Sequence, residues 1–260
     1  MLNIIKQILR QLLRDRFLQL GALYLLACVT VPFFFGETGF LHETGSESVG
    51  DLASFLSVFF PIIAGVVTGR GCGTDLRDKT ANYEVLFGKK RSQVYFGRFF
   101  ASLILVFAVT ALIPLTAVSL LTLCNGWGAS ITAADSAVHF IMIFPVVFRI
   151  ICFYTALSFL AGNDLLPLTV AFIGTMVLLL SSFFMSEAGF PLTWHTGVTD
   201  LMTLLDFSNT TGGFFNGEDI TVYKAALSGA AILRMLCTSF GIGMLWLAGG
   251  FAVFRRRDIS

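Results

Sequence analysis

Residues 70–98 read RGCGTDLRDKTANYEVLFGKKRSQVYFGR, a stretch holding Arg70, Arg77, Lys79, Lys89, Lys90, Arg91 and Arg98. Apolar runs flank it on both sides, at about 51–69 and 99–123. Four more such runs lie at about 17–36, 138–160, 165–185 and 225–254. A hydrocarbon core about 30 Å thick needs about 20 helical residues, so each run is long enough to cross a bilayer. Threaded in alternation, the chain puts nearly all its cations on one side. Lys6, Arg10, Arg14 and Arg16 precede the first run, the quoted loop follows the second, and Arg255, Arg256 and Arg257 follow the last. The opposite loops carry Glu37, Glu43, Glu47, Asp51, Asp135, Glu187, Asp200, Asp206, Glu218 and Asp219, with Lys224 as their cation. Cytoplasmic loops retain Lys and Arg. The expected fold is therefore an all-α membrane protein of six transmembrane helices with both termini cytoplasmic.

Composition agrees: 56% of residues are hydrophobic and 13% charged, against about 25% charged in a soluble domain. The net charge of +1 conceals the asymmetry and says nothing of partners. The longest polar segments, 70–98 and 186–224, are too short to build a core of their own, so residues 1–260 are expected to form a single transmembrane domain. Of Cys28, Cys72, Cys124, Cys152 and Cys237, at most Cys124 lies outside, so no disulfide framework is available there. No CxxC pair supports a zinc knuckle or a thiol redox site. Residues 1–16 lack the form of a cleaved leader. Leu2, Ile5, Leu9, Leu12 and Leu13 share a face, with Lys6, Arg10, Arg14 and Asp15 mostly on the other, which predicts an amphipathic helix lying in the inner headgroup layer.

Pro32, Pro61, Pro114, Pro145 and Pro167 place one proline in or at the edge of each of the first five spans, as ordinary bends or as hinges. Residues 161–164, Ala-Gly-Asn-Asp, predict a tight inner turn, and Gly69, Gly71 and Gly73 a flexible exit from the second span. In the outer segment 186–224, Asp200 reads as a helix cap for the apolar cluster Leu201, Met202, Leu204, Leu205 and Phe207, a short helix resting on or dipping into the outer leaflet. Most of the 28 phenylalanines should face lipid or neighbouring helices, with a minority available to line a greasy groove.

A loop that merely joined two spans needs about five residues. In this one, Asp78 to Phe87 has helical character, Gly88 suits a helix stop, and Lys89, Lys90 and Arg91 follow it. Such a helix suits docking to a cytosolic motor; a solvated loop touching anionic lipid is the plainer reading.

The run DLRDKTANYEVLFGKKRSQVYFGR resembles the inner loop of ABC exporter permeases, those handling drugs, polysaccharides and antibiotic peptides, and within them the lantibiotic and bacitracin self-protection group of Gram-positive bacteria. The ending FRRRDIS is similar to that group's, and the resemblance covers the whole chain. It implies that 75–87 form a coupling helix, with Asp78, Thr80, Tyr83, Glu84, Gly88 and Arg91 matching the loop pattern. Asp78 and Glu84 would face polar groups on an ATPase subunit, and Tyr83 would anchor it. The departure is GRGCGTD at 69–75, richer in glycine and carrying Cys72. The implied partners are cytosolic ABC ATPase subunits, a second six-span permease subunit and membrane lipid, with no nucleic acid. The implied place is a bacterial plasma membrane, and the implied cargo an amphipathic compound such as an antimicrobial peptide.

A P-loop needs Gly-x-x-x-x-Gly-Lys-Ser/Thr, and Gly88-Lys89-Lys90 has Tyr83 where its first glycine should stand. Any ATP would therefore be bound by a partner; no cofactor, metal site or enzymatic activity is expected of this chain. His42, His139 and His195 fall on or near the outer side and read as polar loop residues. Arg149, in the fourth span, and Arg234, in the last, are candidates for a translocation path. Arg149 would either pair or line a polar cavity; Arg234 would pair, for instance with Asp51. A motor-independent carrier or channel, and a peptide-binding sensor, remain the other classes.

Overall fold

A computed structural model describes residues 1–16, 18–21, 23, 44–129, 131–177, 200–201, 204, 208–210, 221–223 and 227–256. Most of the first expected span and of the outer segment, with His42 and His195, lies outside the described residues.

The described chain is built on helices. Three are long and apolar enough to cross a membrane: Arg91–Asn125 (α5), Ala133–Ala161 (α6) and Gly229–Arg256 (α8). Before them come α1 (Leu2–Arg14), α2 (Gly45–Thr68), α3 (Thr74–Arg77) and α4 (Thr80–Leu86), and between α6 and α8 lies α7 (Leu165–Thr169). Five-residue π-helical turns follow α2 at Gly69–Gly73 and α7 at Val170–Gly174. An antiparallel ribbon, β1 (Ser208–Thr210) with β2 (Thr221–Tyr223), lies in the outer segment, where the sequence predicts only helix.

The helix α6 is the hub, with 67% of its most apolar window buried against 22% for α5 and α8. Thr132 caps it, its hydroxyl accepting from the Asp135 amide at 3.2 Å, and Gly162 ends it in the left-handed region at φ 69°. That glycine makes the predicted inner turn. On α8, Met235, Ser239, Gly243, Leu247, Gly250 and Phe254 are buried in one stripe. A Cβ on Gly250 would lie 2.8 Å from Ala156 Cα, so glycine is what lets α8 approach α6.

Contacts sort the helix ends into two groups. At one end, Gly45 N–H donates to Gly126 O at 2.9 Å, joining the start of α2 to the end of α5. At the other lie α1, segment 70–98, the 161–164 turn and the end of α8, joined by Ile4 against Gly97, Arg77 to Asp164, and Arg91 to Phe254. Most of the described cations lie in these segments; Arg149, in the middle of α6, and Arg234, near the start of α8, do not. At about 1.5 Å per residue, the 35 residues of α5 are longer than a hydrocarbon core about 30 Å thick.

Two expectations are corrected. The apolar face of α1 that matters is Ile4, Ile5, Ile8 and Leu12, buried on α5 and the π turn, while Leu2 and Leu13 are 74% and 60% exposed. Leucines stand on two adjoining sides of α1, so spacing alone does not say which side meets protein. Nor is 69–73 flexible. It continues α2 as helix, and Gly69, Gly71 and Gly73 are buried. A Cβ on Gly73 would run into Asn163 O and lie 2.5 Å from Asp164 Cα; one on Gly71 would lie 2.7 Å from the Ser102 hydroxyl. The small residues are contact points.

Candidate functional site

The centre of the cationic end is Arg98, which the sequence reading counts only as one loop cation. It is 1% exposed, in the first turns of α5. Its Nε and Nη2 donate to Asp75 Oδ2 at 3.1 and 2.9 Å, and its Nη1 donates to Glu84 Oε2 at 2.8 Å. Asp75 Oδ1 accepts from the Thr80 hydroxyl at 3.1 Å and from Gln11 Nε2 of α1 at 3.5 Å. Lys89 reaches the other oxygen of Glu84 at 3.3 Å. One guanidinium thus holds α3 through Asp75 and α4 through Glu84. A planar cation with a fork of donors suits two carboxylates at once.

The expected helix over 75–87 is two helices. Asp78 leaves helical geometry, and Lys79 takes a left-handed conformation, φ 58°, between α3 and α4. Tertiary pairing explains the break: Arg77 is drawn to Asp164, its Nη1 donating at 2.8 and 3.1 Å, while the Thr80 hydroxyl donates back to Asp75 O at 3.0 Å. The hydrogen bond to Asp78, then the charges of Asp164 and Asp78, raise the pKa of Arg77 further, so it stays charged. The stop at Gly88 is as read: Lys89 N–H donates to Glu84 O and Gly88 N–H to Val85 O, with φ 88° at Gly88.

The six residues matched to the coupling loop divide by placement. Asp78 is about half exposed and accepts from Arg77 Nε at 3.0 Å. Tyr83 is 56% exposed, and beside it Leu86 and Phe87 are 67% and 86% exposed. These last two the sequence reading left out of the site, although large apolar residues next to a helix-ending glycine were the signal. Thr80 ties α4 to α3, Gly88 turns the chain, and Glu84 points inward to Arg98 rather than out toward a partner. Arg91 caps α8, donating to Phe254 O at 3.2 Å and to Arg255 O. Cys72 is buried 4.0 Å from the Ser102 hydroxyl, and burial pushes its thiol up to about 12.

Arg149 is 1% exposed and paired with Asp200, through its Nη2, while its Nε has no hydrogen-bond partner among the described residues. Asp200, expected as the cap of a short helix, is itself in helical geometry and is bound to α6. Of the two alternatives the sequence leaves for Arg149, pairing is the one found, and a residue of the outer segment supplies the partner. Leu201 and Leu204 are fully buried, and Leu204 O lies 2.8 Å from Nδ1 of His139, itself 2% exposed. His139 is thus packed inside α6 and is no loop residue. Arg234 is exposed and makes no ion pair among the described residues; the side chain of Asp51 lies outside them. Also among the described residues, no group of three or more His, Cys, Asp or Glu is placed to hold a metal ion.

Compared with known proteins, this chain matches no protein-family model and no curated protein sequence.

Proposed function

We propose that this chain is the membrane subunit of an ATP-driven exporter of the ABC class. In this reading it has six spans and cytoplasmic termini, sits in a bacterial plasma membrane, pairs with a second such subunit and moves an amphipathic compound outward. The observation that carries the reading is the apolar edge Tyr83–Leu86–Phe87, exposed at the cationic end on and just after a short helix that Arg98 ties to α5 and α3. An exposed apolar patch on a rigid mount, outside the segments that can sit in lipid, marks a protein-docking site. Movement of a docked ATPase would reach α5 through Glu84–Arg98 and α3 through Asp75.

The test is co-expression of the tagged chain with an ABC ATPase encoded beside its gene, followed by mild-detergent purification. Stoichiometric retention that is lost in Tyr83→Ser/Phe87→Ser supports the reading. Transport that proceeds without any ATPase overturns it.

A motor-independent carrier is the second reading, favoured by the Arg149–Asp200 pair, since ionisable pairs at membrane depth mark ion and substrate paths. There, Asp200→Asn would abolish transport and Tyr83→Ser/Phe87→Ser would leave it intact.

A further inference from the structure

An interfacial helix ordinarily attaches by burying its apolar face in the bilayer, with charge as a supplement. Helix α1 has spent that face on protein: Ile4, Ile5, Ile8 and Leu12 are 9% exposed or less, and a Cβ on Gly97 would lie 2.8 Å from Ile4. What remains toward the surroundings is an edge of Leu2 and Leu13, and beside it exposed Lys6, Arg10 and Arg14 at i, i+4 and i+8. No acidic residue occurs in 1–14, and these three cations make no ion pair among the described residues. Asn3, Gln7 and Gln11 line the same shallow groove, adding amide donors. The groove is fixed in place, since Gln11 also donates to Asp75.

With so little apolar edge left, charge must carry most of the attachment of α1 to the bilayer. We infer that Lys6, Arg10 and Arg14 form a binding site for the headgroups of anionic phospholipids in the leaflet at the cationic end of the bundle. Leu2 and Leu13 enter the top of the acyl layer while the three cations and the groove amides donate to headgroup phosphates. Each Lys or Arg held near an anionic surface strengthens attachment about fivefold, so three give about a hundredfold. The attraction is screened by salt. The site does not depend on a docked motor, and its test uses this chain alone.

The full chain would be reconstituted in phosphatidylcholine vesicles holding a trace of a photoactivatable phosphatidylglycerol or, separately, phosphatidylcholine probe, with crosslinks mapped by mass spectrometry. Crosslinks of the phosphatidylglycerol probe to residues 1–16 should exceed those of the neutral probe about tenfold at low salt and fall several-fold at about 0.5 M salt. Lys6→Gln/Arg10→Gln/Arg14→Gln should remove the excess, while Lys6→Arg/Arg10→Lys/Arg14→Lys and Lys89→Gln/Lys90→Gln should keep it. Equal labelling by the two probes overturns the inference, as does an excess insensitive to salt in the unaltered chain. So does an excess that survives neutralisation of the three cations, or one that maps to 89–91 instead.

Discussion

Arg98 Nη1 lies 2.8 Å from Glu84 Oε2, so a residue in the first turns of α5 grips the short helix that precedes it. Both partners are largely out of solvent, at 1% and 13% side-chain exposure. Removing one member of a buried pair leaves an uncompensated charge, at a cost of about 3–5 kcal/mol. Arg98→Met should therefore lower thermal stability by that order, leave Asp75 with only neutral donors and Glu84 with only Lys89, and loosen α4. Glu84→Gln should cost less, about 1–2 kcal/mol, because Asp75 still satisfies Arg98. Fluorescence-detected thermal unfolding in detergent distinguishes the two; equal losses would show that Asp75 alone does not hold the guanidinium.

Gly73 passes against the 161–164 turn with no room for a side chain. Since the obstruction is backbone, Gly73→Ala should cost about 1–3 kcal/mol or more, as overpacking does. Gly88→Ala tests a different cause: space there is open but φ is 88°, so the loss should be about 1 kcal/mol. The same unfolding assay reads both, and a neutral Gly73→Ala would mean that the turn gives way.

Asp200 and Arg149 bind the outer segment to α6. Asp200→Asn should destabilise by about 3 kcal/mol, the low end for a buried pair because Asp200 keeps 28% side-chain exposure. The pair Arg149→Met/Asp200→Leu should recover most of that loss, since apolar replacements of similar size often match a buried ion pair. A double-mutant cycle with no coupling between the two positions would contradict the contact.

Cys124 is exposed at the end of α5 opposite segment 70–98, and Cys72 is buried within the cationic end. A thiol pushed up to about 12 stays protonated at neutral pH and reacts poorly. A membrane-impermeant maleimide added to intact cells should label Cys124, and a permeant one should leave Cys72 unlabelled until the protein is denatured. Rapid Cys72 labelling in the folded protein would contradict the helical packing of 69–73.

The sequence by itself determined the membrane class, the clustering of cations at one end, the tight turn at 161–164 and the helix stop at Gly88. These follow from hydropathy over about 20 contiguous residues or from local backbone chemistry, where the causes lie within a few positions of the effect. Tertiary structure decided which face of α1 meets protein, that Gly69–Gly73 is a packed helix, and which charges pair. Lipid is as apolar as leucine, so periodicity does not tell a lipid-facing stripe from a helix-facing one. Likewise Arg98, Arg91 and Arg149 are alike as residues. Arg98 finds Asp75 and Glu84, Arg91 the carbonyls ending α8, and Arg149 finds Asp200, because packing brings distant segments together.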